Sequence, residues 1–263
     1  MTIIERKEKL DCFVSVVVVV NNQCETVEAF LKNAHQHLAA HFTDYEIVII
    51  DQCSTDGTSK LVERLLLETP SVRFIELSAP VYLDIALAAG IENAIGDFVI
   101  LMDPESDPID CILNTVELCR NNHDIVIGVA KQYNSLAYNL VRPLIQKALK
   151  AIGYHLPRNA TNLRCLSRRA VNSVTQAGCF HQQFFIRISN TGYPTAIFNY
   201  ELNPHSSRNR TIVEGIRETI RMTVFNSTKP LRWMSALGVI GSMIAFLFAS
   251  YSIIINFFKH DIV

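Results

Sequence analysis

"FVSVVVVV", residues 13–20, carries one serine in eight otherwise apolar positions. A strand with one wet face alternates apolar and polar residues. A β-branched run without alternation reads as a strand buried on both faces, as in a parallel sheet covered by helices. It stops at Asn21-Asn22. Downstream, Val27, Phe30, Leu31, Ala34 and Leu38 recur at helical spacing, which predicts an amphipathic helix. "YEIVIID" (45–51) reads as a second buried strand. "STDGT" is a turn with Ser54 or Thr55 as the cap of a helix that begins at "KLVERLLLE". A strand at 72–77, a helix at 84–95 and a strand at 97–103 complete a β-α-β-α-β-α-β alternation. That order predicts an α/β fold with an open, mostly parallel, Rossmann-like sheet and helices on both faces.

Ligands of such sheets bind outside the carboxyl ends of the strands. Three of these ends are polar: Asn22 and Gln23, then Asp51 and Gln52, then Asp103 and Glu105. In "FVILMDPESDP" (98–108) the apolar run gives way to Asp103, Glu105 and Asp107 at every second position. Two carboxylates at D-x-E spacing suit a hard divalent cation such as Mg²⁺, which takes one or two carboxylates and completes its shell with phosphates and water. A polar turn shaped by Pro104 and Pro108 is the plainer alternative.

Composition narrows the rest. The chain has 263 residues, formal net charge −1 and seven cysteines without a C-x-x-C pair. Near neutrality gives no global case for nucleic-acid binding. Scattered, odd-numbered cysteines point to a reducing compartment rather than a disulfide framework. The N-terminus lacks the apolar core of a signal peptide. From Trp233 to Phe258 there is no charged residue, and about 20 apolar residues suffice to span a bilayer. Lys229 and Arg232 precede this run, so the positive-inside rule predicts a cytoplasmic body. The expected organisation is a globular domain over 1–205, a basic amphipathic juxtamembrane helix over 206–232 and a membrane helix over 233–258. An amphipathic pattern at Leu136, Leu140, Leu144 and Ala148 suits either an interfacial helix or one packed on the domain. Between Arg208 and Arg232 six basic residues face two acidic ones, a collar suited to anionic headgroups.

With these pieces in order, "VSVVVVVNNQCETVEAFL", "YEIVIIDQCSTDGTSKLVERL", "GIENAIGDFVILMDPESDP" and "STKPLRW" with its apolar run, the chain resembles family 2 glycosyltransferases. It is most similar to the polyprenyl-phosphate sugar transferases, the group of dolichol-phosphate mannose synthase. The resemblance implies a GT-A fold, a UDP- or GDP-sugar donor, Mg²⁺ or Mn²⁺, inversion at the anomeric carbon, a polyprenyl phosphate acceptor and a membrane location. A homo-oligomer is compatible with it. It further implies that Asn22, Gln23, Asp51 and Asp103 bind the nucleotide-sugar, with Asp51 on the base. Asp103 and Glu105 are implied metal ligands, and Asp103 and Arg164 catalytic residues. Arg164 and Arg168, joined by Arg208 and Arg210 of the basic collar, are the candidates for the acceptor phosphate.

The chain departs from the family pattern at several points. Gln52 and Cys53 stand where the family has Asp-Gly, Glu105 where it has Asp, and Asn162 where it has Asp before Arg164. The Gly-Lys before the third helix is missing from "SAPVYLDIAL". These losses leave a second reading open, a degenerate transferase that keeps the fold and serves as a binding or scaffold subunit.

Overall fold

The computed structural model describes residues 9–69, 71–130, 157, 159–176, 184–204 and 229–260. Seven strands form one sheet: β1 (Leu10–Val20), β2 (Phe42–Asp51), β3 (Val72–Glu76), β4 (Phe98–Met102), β5 (Ile125–Ala130), β6 (Ala160–Ser167) and β7 (Thr195–Tyr200). The helices are α1 (Cys24–His41), α2 (Thr58–Leu66), α3 (Leu83–Asn93), α4 (Cys111–Arg120), α5 (Arg168–Gln176), α6 (Phe184–Asn190) and α7 (Lys229–His260). The strand order is β3-β2-β1-β4-β6-β5-β7.

β1 is the hinge of this arrangement, parallel to β2 on one side and to β4 on the other. Its valines alternate between two cores. Val14, Val16, Val18 and Val20 pack with Val27, Phe30, Leu31 and Leu38 of α1, Val62 and Leu65 of α2 and Ile112 and Val116 of α4. Val17 faces the opposite side, with Ala86, Leu87 and Ile91 of α3 and Val171 and Val174 of α5. This is why the run lacks alternation: both faces are covered. Each fully buried side chain of this kind contributes roughly 1.5–3 kcal/mol.

The parallel half follows the expected alternation. β2 starts earlier than expected, at Phe42, directly after α1. Gly90 lets α3 lie on the sheet, because a Cβ there would run into Val17 Cγ1. The second half is mixed. β6 runs antiparallel to both β4 and β5, and β7 lies parallel to β5 at the edge.

Within α7, Met234–Ile255 has a mean hydropathy of 2.1, and none of its most apolar stretch is buried within the protein. Twenty-two helical residues extend about 33 Å, enough for the ~30 Å hydrocarbon core. Long enough to span, the helix matches the expected 233–258 run. The amphipathic pattern at 136–148 and most of the 206–232 collar, with Arg208 and Arg210, lie outside the described residues.

Candidate active site

The register sets three strand ends side by side. Val20 of β1 pairs with Asp51 of β2, and Val18 pairs with Met102 of β4. Asn22, Asp51 and Asp103 therefore leave the sheet at one edge, where the order reverses between β2-β1 and β1-β4. Open α/β sheets bind ligands at this kind of position.

The β1 and β2 ends are knitted together by side chains. Asn22 sits at φ +54°, a left-handed conformation that Asn tolerates better than most residues. Its Oδ1 accepts the Thr55 N–H at 2.8 Å and its own N–H donates to Ser54 Oγ at 2.9 Å. Asp56 caps two helices at once: Oδ2 accepts the Cys24 N–H at 3.0 Å and Oδ1 the Thr58 N–H at 2.9 Å. These are first-turn N–H groups that the helices cannot satisfy themselves. The Thr58 hydroxyl bond, with the Cys24 and Thr58 amides, holds the Asp56 carboxyl below its usual range.

Asp51 is fully buried. Its oxygens accept the Ser54 hydroxyl, the Ser54 N–H at 3.0 Å and the Ser59 hydroxyl at 2.9 Å. In this arrangement the Asp51 carboxylate turns inward and shapes the 52–59 loop. The two departures beside it also have local explanations. Cys53 occupies φ +55°, where glycine would be unstrained, and its thiol donates to the Leu77 carbonyl at 2.9 Å. Gln52 Nε2 donates to the Val81 carbonyl at 3.1 Å, tying β2 to the segment before α3.

Gln23 follows Asn22. Its carbonyl accepts the Thr26 and Val27 N–H groups, opening α1. Its side-chain Oε1 is buried without a hydrogen-bond partner among the described residues. Buried polar atoms are rarely left unpaired.

At the β4 end, Asp103 is half-buried and Glu105 exposed. Asp103 Oδ1 accepts the Glu105 N–H at 3.0 Å, and Asp107 N–H donates to the Asp103 carbonyl at 3.0 Å. Glu105 Oε1 lies 3.4 Å from the Thr26 hydroxyl on the first turn of α1. Among the described residues no group of three or more His, Cys, Asp or Glu side chains converges on a metal position. The pair Asp103 and Glu105 still fits a cation of the Mg²⁺ type, whose remaining positions go to water and substrate phosphate. Glu105 is free of salt-bridge partners among the described residues, and Asp103 keeps Oδ2 clear of the loop bonds named above.

Asp107 had a spacing signal in the sequence but no assigned role. It is 2% exposed. Its Oδ2 accepts the Asp103 N–H at 2.8 Å and its Oδ1 the Tyr200 hydroxyl at 2.5 Å. Burial pushes its carboxyl up to about 6, with the Asp103 charge adding to the rise. The Asp103 N–H, the Tyr200 hydroxyl and the Arg164 charge pull the other way.

Arg164 is 3% exposed. Its guanidinium donates to the Thr161 and Leu163 carbonyls, both at 2.7 Å, and lies 5.3 Å from the Phe185 ring centroid. The guanidinium is turned inward onto the β6 backbone. Arg168 is placed by the sheet topology. β6 runs antiparallel to β4, with Leu101 opposite Arg164 and Phe98 opposite Ser167. Arg168 therefore lies at the far edge of the sheet, where it donates to the Gly96 and Ala94 carbonyls. Thr26, Tyr200 and Asn203 joined the site unannounced. Nothing local in the sequence distinguishes them.

The family model for glycosyl transferase family 2 matches residues 15–181. An undecaprenyl-phosphate 4-deoxy-4-formamido-L-arabinose transferase of Aeromonas hydrophila is 25% identical over 244 residues, spanning 90% of this chain and 74% of that protein. A prophage bactoprenol glucosyl transferase homolog of Escherichia coli K12 is 24% identical over 257 residues, spanning 92% and 81%. Among solved structures, a mannosyltransferase from Pyrobaculum calidifontis in complex with GDP-Man and Mn²⁺ superposes with TM-score 0.57 at 20% identity, over 86% of this chain and 66% of that one. Glucosyl-3-phosphoglycerate synthase from Mycobacterium tuberculosis, in complex with Mn²⁺, UDP and phosphoglyceric acid, gives 0.59 at 17%, over 81% and 77%. These two share the fold. With the strand order, the carboxylate edge and the match over residues 15–181, the chain belongs to glycosyl transferase family 2 and is a glycosyltransferase of GT-A fold.

Proposed function

We propose that this chain transfers a sugar from a UDP- or GDP-sugar to a polyprenyl phosphate, with inversion, at the cytoplasmic face of a membrane. The observation that carries it is the pair Asp103 and Glu105 at the end of β4, on the edge where the strand order reverses. Relatives named for undecaprenyl phosphate and bactoprenol support the acceptor class. The spanning length of α7 and the Lys229 and Arg232 charges before its apolar stretch support the location.

In this reading Asn22, Gln23 and the 52–59 loop receive the nucleoside, and Gln23 Oε1 accepts a donor from it. Asp103 and Glu105 would hold Mg²⁺ or Mn²⁺ on the donor diphosphate. The metal, when bound, supplies Lewis-acid neutralisation of the leaving group. The acceptor phosphate oxygen attacks the anomeric carbon, the bond from that carbon to the diphosphate oxygen breaks, and the nucleoside diphosphate leaves with the electron pair. No proton has to be removed, because a phosphate monoester has its second pKa at about 6 and is ionised at neutral pH. Asn162 in place of a carboxylate is therefore compatible with this acceptor, whereas a hydroxyl acceptor would need a general base.

The inward engagement of Asp51 and Arg164 favours a second reading, a catalytically degenerate transferase acting as a binding or scaffold subunit. Incubating the full chain with polyprenyl phosphate and a panel of UDP- and GDP-sugars separates the two. Sugar appearing in the lipid fraction, abolished by a chelator, is the expected result. Undiminished transfer by an Asp103→Ala variant would overturn the assignment.

A further inference from the structure

We infer that the end of β7 is a strap that holds the metal-binding loop in shape, with Tyr200 and Asn203 as positioning residues for Asp103 and Glu105. The inference rests on the reading that these two carboxylates bind a divalent cation.

β7 is the sheet's outer strand, separated from β4 by β6 and β5. Its last residue nevertheless reaches back to the β4 loop. The Tyr200 hydroxyl lies 2.5 Å from Asp107 Oδ1 and 2.7 Å from Thr161 Oγ1. The other Asp107 oxygen accepts the Asp103 N–H at 2.8 Å. A continuous chain of hydrogen bonds thus runs from β7 through a buried carboxylate to the backbone of the first metal-candidate residue. Burial, with the neighbouring Asp107, keeps the Tyr200 phenol protonated far above its ordinary range, so the hydroxyl remains a donor at any working pH.

Three residues on, the same segment makes a second, independent tie. Asn203 N–H donates to the Ser106 carbonyl at 2.9 Å, and Asn203 Nδ2 donates to the Glu105 carbonyl at 3.2 Å. Glu105 needs such support. Its side chain is exposed, and among the described residues its carboxylate has one long contact, to Thr26 at 3.4 Å. The strap holds the Glu105 loop from the β7 side, in addition to its tie to Asp103. Metal sites lose affinity when the groups that orient their ligands are removed. Neither Tyr200 nor Asn203 is placed to touch the cation. They act through Asp107 and the loop backbone.

The test uses the full chain in detergent, with Mn²⁺ binding followed by electron paramagnetic resonance in the presence of UDP or GDP. Tyr200→Phe and Asn203→Ala are each expected to weaken Mn²⁺ binding roughly three- to tenfold and to speed amide exchange at Glu105 and Asp107 in metal-free protein. The melting temperature should move little for Asn203→Ala, whose side chain is only half-buried. Asn203→Gln, which keeps the amide donor, should recover part of the affinity. Unchanged Mn²⁺ affinity and exchange in both variants, while Asp103→Asn abolishes binding, would overturn the strap and leave the metal reading intact. Equal binding by wild type and Asp103→Asn would overturn the metal reading, and the strap with it.

Discussion

The Asp107 carboxylate accepts the N–H of Asp103 at 2.8 Å from a position that is 2% exposed. The exposed face of the D-x-E loop is thus built on a buried third carboxylate. One acidic residue organises and the other two face outward. The arrangement separates residues whose loss should affect binding from those whose loss should affect the fold.

Asn22 belongs to both groups. Its Oδ1 is the acceptor that draws the Thr55 N–H onto the β1 end, at φ +54°. Asn22→Ala removes that acceptor and places alanine in a left-handed conformation. A loss of about 1–3 kcal/mol in stability is expected, together with weaker UDP or GDP binding. Urea denaturation and calorimetric titration of the same sample would show both. Unchanged nucleotide affinity would remove Asn22 from the site.

Gly90 belongs to the second group. Gly90→Ala should destabilise by about 1–3 kcal/mol, because its methyl group meets Val17 Cγ1 across the α3–β1 contact. Val17→Ala on its own opens a cavity, but the double variant should be more stable than the sum of the two losses allows. Strict additivity in urea unfolding would show that the two residues are not in contact.

Asp124, at the edge opposite the candidate site, gives a pH dependence. Its oxygens accept from the Arg169 guanidinium and the Ser167 hydroxyl, and the Arg169 bond is the leading cause that holds its carboxyl below the usual range. The folded state therefore favours the ionised form. That contribution is present above the unfolded value of about 3.9 and fades as pH falls through the lowered folded value. Arg169 is 67% exposed, so Arg169→Ala should lower stability only slightly at pH 7. The difference should vanish once the pH falls below the lowered folded value. A difference that persists in acid would assign the loss to packing on Tyr193, which Arg169 also covers.

Much of the parallel half was legible in the sequence. Residues 13–20 lack alternation because Val14, Val16, Val18 and Val20 face one helix layer and Val17 the other. The polar strand ends converge because parallel strands finish at the same edge. Arg168 leaves at the opposite end because β6 runs the other way. Apolar patterning looks the same in both directions, so nothing in "TNLRCLSRR" says that Arg168 leaves at the wrong edge. The inward turn of Asp51 depends on Ser54 and Ser59 closing around it. The strap from Tyr200 and Asn203 spans 93 and 98 residues to its partners, a distance over which local pattern carries no information.

The most direct test is calorimetric titration of the detergent-solubilised full chain with UDP- and GDP-sugars, first with Mn²⁺, then after chelation, and again with Asp103→Ala. Metal-dependent binding in the micromolar range, lost on chelation and in the variant, is the expected result. No binding of any donor, or binding indifferent to both the chelator and the substitution, would contradict the assignment of Asp103 and Glu105 to the donor diphosphate.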